Sequence, residues 1–144
     1  MTSYKPISLT AATLTLSRKT HVGATVVVDR AAGSTVTLPA ATGTGDKYKL
    51  VVKTTITSNS FKVQVADATD VMSGTATFGQ DSADTAVLFE TAADSDTITM
   101  NGSTTGGIAG DIVELEDIAT NLWSVKVLGS ATGTEATPFS AAVS

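Results

Sequence analysis

The stretch MNGSTTGGIAGD, Met100 to Asp111, decides how the whole chain is to be read. It holds four glycines, at 102, 106, 107 and 110. Such a cluster either cradles a phosphate or bends the backbone between two strands. A phosphate loop of the G-x-x-x-x-G-K-[ST] type needs a lysine after its second glycine. Gly102 and Gly107 have the right separation, but Ile108 stands where the lysine belongs. The dinucleotide pattern G-x-G-x-x-G fails as well, because no glycine lies two places before Gly107. The flanks settle the matter. DTITMNG (Asp96–Gly102) precedes and DIVELED (Asp111–Asp117) follows, and both alternate as strands do. Each phosphate motif opens a helix, so the stretch reads as a connection between strands.

Period two continues in both directions. TLTLS (Thr13–Ser17), ATVVVDR (Ala24–Arg30), STVTLP (Ser34–Pro39), YKLVVKTTI (Tyr48–Ile56) and FKVQVAD (Phe61–Asp67) precede it; AVLFET (Ala86–Thr91) and LWSVKVLG (Leu122–Gly129) complete the set. Thr, Val and Ile are stiff at χ1 and suit a pleated surface. Turn chemistry fills the gaps: AAGS at 31–34, ATGTGD at 41–46, TSNS at 57–60 and the turn through Asn121. Strands recurring at this spacing predict an all-β fold, a compact antiparallel β-sandwich or barrel of jelly-roll type. The alternation places Leu14, Leu16, Val26, Val28, Val36, Leu38, Leu50, Val52, Val63, Val65, Leu88, Ile98, Val113, Leu115, Trp123, Val125 and Val127 mainly inside. No long amphipathic helix is indicated; GQDSADTAV (Gly79–Val87) has room for one helical turn. No tandem repeat is visible.

Length and composition narrow the function. At 144 residues the chain fits one domain able to bury a core without staples. Thr, Ser, Gly and Ala make up half of it, charged residues only 16%, and the net charge is −5. That balance disfavours nucleic acid, whose phosphates call for clustered Lys and Arg. No cysteine is present, so no disulfide or thiolate metal site is expected. No window approaches the ~20 apolar residues of a membrane helix, and MTSYKPISLTAATLTLS has neither the charged nor the unbroken apolar region of an export signal.

Candidate chemistry is sparse. His21 is the lone histidine, with no G-x-S-x-G around any serine, and reads as a solvated residue near a turn. Asp94 and Asp96 have calcium-type oxygens without EF-hand spacing. Glu114 and Glu116 fall on one strand face, opposite Val113 and Leu115, as a solvated face would place them. Trp123 alternates with Val125 and Val127 and reads as core. No catalytic residue, cofactor or metal is expected.

The ends differ from the middle. Residues 1–10 are read as an N-terminal arm leaving a β-domain at 11–129, and residues 130–144 as a C-terminal tail. Tyr4, Ile7 and Leu9 supply apolar anchors on the arm, Pro6 stiffens it, and Pro138 and Phe139 interrupt the small, polar tail. These six are the candidate partner contacts.

The elements DRAAGSTVTLPAATGTG…Y, the TSN turn before a strand, and NGSTTGGIAGD leading to W-x-V cover roughly residues 26–129. In them the chain resembles small β-rich proteins encoded among the structural genes of tailed bacteriophages. That resemblance implies a virion surface component: a capsid decoration (cement) protein, bound as a homotrimer to the major capsid protein on the outer surface of the shell. It also admits a fibre-associated or receptor-binding module that takes a host glycan, for which Tyr4, Tyr48, Phe78 and Trp123 are the candidate exposed aromatics. An unrelated secreted β-sandwich is the remaining class.

Overall fold

A computed structural model describes residues 5–144. Among the described residues twelve strands build two packed sheets, with one four-residue helix between strands. The strands are β1 (Ile7–Leu9), β2 (Thr13–Thr15), β3 (Thr25–Val28), β4 (Thr35–Thr37), β5 (Lys47–Val52), β6 (Phe61–Gln64), β7 (Val71–Gln80), β8 (Ala86–Glu90), β9 (Thr97–Met100), β10 (Ile112–Ala119), β11 (Leu122–Ala131) and β12 (Phe139–Ser140); α1 is Arg18–His21. The seven-stranded sheet has the order β1-β3-β5-β10-β11-β7-β8, and the five-stranded sheet β12-β9-β6-β4-β2. The protein is an all-β sandwich, as its alternation predicts.

The ladders are mixed, which corrects the antiparallel expectation. Through its first half the chain alternates sheets, with β1, β3 and β5 in one and β2, β4 and β6 in the other. A strand reached by crossing to the opposite sheet and back runs in the same direction as its predecessor. Hence β1–β3, β3–β5, β2–β4 and β4–β6 are all parallel. This half is a three-turn coil, each turn laying one strand in each sheet. Ile7, Val26 and Leu50 stand in register on successive turns, 19 and 24 residues apart (7 to 26, 26 to 50). Leu14, Val36 and Val63 do the same at 22 and 27 (14 to 36, 36 to 63). Unequal turns leave no fixed period for a repeat to show. The second half supplies the hairpins β7–β8 and β10–β11.

The core lies between the sheets. Every residue assigned inside by alternation is buried except two. Leu14 is half-buried against the core, and Leu88 is 61% exposed. In β8, Val87 and Phe89 turn inward instead, and the Phe89 ring packs 6.2 Å from that of Phe78. Gly79–Val87 contains no helical turn; it joins β7 to β8.

The described residues at both ends belong to the domain. Ile7–Leu9 is not a departing arm: it is the edge strand of the larger sheet, parallel to β3, with Leu9 in the core. Pro6 is exposed just before it, and Tyr4 lies outside the described residues. The tail likewise returns, because Phe139–Ser140 pairs antiparallel with β9 and closes the edge of the smaller sheet. Pro138 and Phe139 are buried there.

Candidate functional site

The glycine stretch crosses from β9 in the smaller sheet to β10 in the larger one. Its first turn is organised by Asn101, whose Oδ1 accepts the amides of Ser103 and Thr105 at 2.8 and 3.2 Å. Gly106 and Gly107 have φ of 80° and 90°, a region open to glycine. That conformation aims successive amides inward, forming the kind of nest that holds anions. The occupant is the chain's own Asp111. Its Oδ2 accepts Gly107 N–H at 2.9 Å and Ile108 N–H at 3.2 Å, and its Oδ1 accepts Ser130 N–H at 3.0 Å. Burial pushes the Asp111 carboxyl above its usual range, against the opposing pull of those three amides. The geometry is that of an anion site filled from within.

The same device recurs. Asp117 reaches the other glycine loop, accepting Thr42 N–H at 3.1 Å, Gly43 N–H at 2.7 Å and the Thr44 hydroxyl at 3.0 Å. Burial acts to raise the Asp117 carboxyl, but these donors together hold it below the usual value. Asp96 accepts Ala142 N–H at 2.8 Å and Val143 N–H at 3.2 Å, anchoring the C-terminal segment. Asp70 accepts Ala41 N–H at 2.9 Å. All four aspartates are buried. Each closes a loop onto the sandwich, and a buried carboxylate so bonded is a structural tie.

His21 is not solvated as expected. It is buried at the end of α1, and its Nδ1 accepts the Ser17 amide at 2.9 Å, tying the two ends of that single turn together. Trp123 is core as read, its ring 5.9 Å from that of Tyr48. Among the described residues no group of three or more His, Asp or Glu side chains is gathered in a metal-ligand arrangement.

The outer face of the seven-stranded sheet carries the exposed features. Glu114 and Glu116 point outward, as their alternation requires. Glu116 meets Lys47 at 3.4 Å, and Glu114 lies in register with Lys49 on β5 and Lys126 on β11. These residues, with Thr25 and Ser124, border an open cleft of about 450 Å3. Beside this polar band runs a mainly apolar row through Val27, Val51, Ile112 and Leu128 and, across Thr77 on β7, Leu88. Leu128 is 54% exposed. The sequence offered a signal for the row, since the positions between inward residues of β3, β5, β10 and β11 include these apolar side chains; which of them would stand side by side was not legible.

Of the six candidate contacts, the structure gathers none into a common patch. Leu9, Pro138 and Phe139 are buried in the domain itself, Ile7 is half-buried on β1, Pro6 is exposed, and Tyr4 is outside the described residues. No protein-family model, curated protein or solved structure matches the chain.

Proposed function

We propose that this chain is a structural protein of a tailed-phage virion, a decoration protein that binds the major capsid protein on the outer surface of the shell and stabilises it, three copies sharing a site. The reading rests on the resemblance carried by DRAAGSTVTLPAATGTG, TSN and NGSTTGGIAGD…W-x-V. One structural observation supports it. The resembling elements are the parts that lock the frame: ATGTG is tied by Asp117, NGSTTGGIAGD by Asp111, and the TSN turn holds Asn59 and Ser60 at positive φ. A likeness in frame-building loops is a likeness of scaffold, and a cement protein acts as a scaffold whose many weak contacts add up by symmetry.

The glycan-binding alternative is less well supported. It needs exposed aromatic faces, yet Tyr48, Phe78 and Trp123 are all buried in the core. Mixing purified recombinant protein with purified expanded capsids, and measuring its copy number after sedimentation, tests the proposal. Saturable binding at a copy number set by shell symmetry is expected; failure to co-sediment refutes it.

A further inference from the structure

We propose that the outer face of the seven-stranded sheet is an interface between two copies of this chain, mated face to face about a two-fold axis running parallel to the strands between β10 and β11. The register of the strands and the exposure of Leu88 point to it, independently of the virion reading. Six adjacent strands, β3-β5-β10-β11-β7-β8, present one row reading Val27, Val51, Ile112, Leu128, Thr77, Leu88. The next outward row reads Thr25, Lys49, Glu114, Lys126, Thr75, Glu90. An axis parallel to the strands keeps each row opposite itself in reverse order. Centred between β10 and β11, it sets Ile112 against Leu128 of the second copy and Val27 against Leu88. It sets Glu114 against Lys126 of the second copy, twice by symmetry, and Lys49 and Glu90 against threonines. Every charge in the row then meets an opposite charge or a hydroxyl.

Other placements are worse. An axis on β11 opposes Lys126 to itself, and one on β10 opposes Glu114 to itself. Shifted between β11 and β7, it brings Glu114 against Glu90. Shifted between β5 and β10, it leaves Leu88 uncovered, although Leu88 is the most exposed large apolar side chain among the described residues. Sheets stack face to face within about 30° of alignment, which this arrangement satisfies. The charges set the register, and the apolar row provides the attraction.

The footprint also sets the strength. Six strands at a spacing of about 4.8 Å and two rows at about 7 Å give roughly 400 Å2 per copy. That is below the ~800 Å2 per partner of a standard stable complex, so isolated pairs are weak and transient. Pairing is compatible with three copies about a local three-fold position, because two-fold axes relate neighbouring three-fold positions in an icosahedral shell.

The experiment is sedimentation equilibrium from about 10 μM to about 1 mM on the full chain and on the variants Glu114→Lys and Lys126→Glu. Both positions are exposed, and a melting curve of each variant serves as the control for folding. The wild-type protein is expected to self-associate. Each single variant places like charges opposite one another and is expected to weaken association at least ~10-fold. An equimolar mixture of the two restores both cross-interface pairs and is expected to regain it, as is the Glu114→Lys/Lys126→Glu double variant. A wild-type mass independent of concentration, single variants that associate like wild type, or a mixture that does not recover would each overturn the proposal.

Discussion

The carboxylate of Asp111 packs directly against Gly129: a β-carbon at position 129 would stand 2.3 Å from Asp111 Cγ. The absence of a side chain at 129 is thus what lets Asp111 reach the Ser130 amide on β11 and the Gly107 and Ile108 amides of the glycine loop together. Gly129→Ala is expected to destabilise the fold by about 2–4 kcal/mol, because a well-packed site cannot absorb the added methyl. In an Asp111→Ala background the same substitution costs markedly less. A double-mutant cycle by urea denaturation, followed through Trp123 fluorescence, measures that coupling; additive costs would show that the two residues do not compete for the same space.

Leu50 and Leu88 look alike in the strand pattern but not in the sandwich. Leu50→Ala is expected to cost about 2–5 kcal/mol, as for a fully buried leucine. Leu88→Ala is expected to stay within about 0.5 kcal/mol in the isolated chain at low concentration. Chemical denaturation of the two variants side by side distinguishes them.

Asp117 links stability to pH. Its carboxyl is held below the usual 3.8, so the unfolded chain binds the proton more readily. Its contribution is therefore fully present above that value and disappears as the pH falls through the lower, folded value. Asp117→Asn should lose stability near neutral pH, and the gap from wild type should narrow as the pH drops below about 3.8. Asp111, raised by burial, carries the opposite slope. Thermal melts from pH 7 down to pH 2 read the difference, and a gap that widens on acidification would reverse the assignment.

The terminal strands β1 and β12 are integral to the domain. Leu9→Ala and Phe139→Ala are each expected to lower stability by about 2–4 kcal/mol, since both side chains are buried at sheet edges. Removal of residues 1–9 is expected to lower the melting temperature by several degrees. An unchanged melting temperature would restore the arm reading.

What the sequence determined by itself is local. Alternation in YKLVVKTTI, FKVQVAD and DIVELED marks strands and their inward faces because side chains project to opposite sides every second residue. The same parity places Asp111 and Asp117 on the inward side with Val113 and Leu115. The limits are local too. Strand β7 was invisible because its inward residues Met72, Gly74, Ala76 and Phe78 include two with little apolar contrast; a β-carbon on Gly74 would lie 1.8 Å from the Val125 carbonyl oxygen, so the packing itself demands that silence. The V-L-F run of β8 has no single phase, and only docking against Phe78 turned Val87 and Phe89 inward and Leu88 out. Which sheet each strand joins, and in which direction, was decided by tertiary structure alone: alternation is unchanged when a strand moves to the other sheet, whereas the chain's crossings make its neighbours parallel. The reach of Asp70, Asp96 and Asp117 to their loops, the Asp111–Ser130 bond, and the apolar row beside alternating charges follow from that topology, since they join residues from separate turns of the chain, whereas the bonds from Asp111 to Gly107 and Ile108 are local.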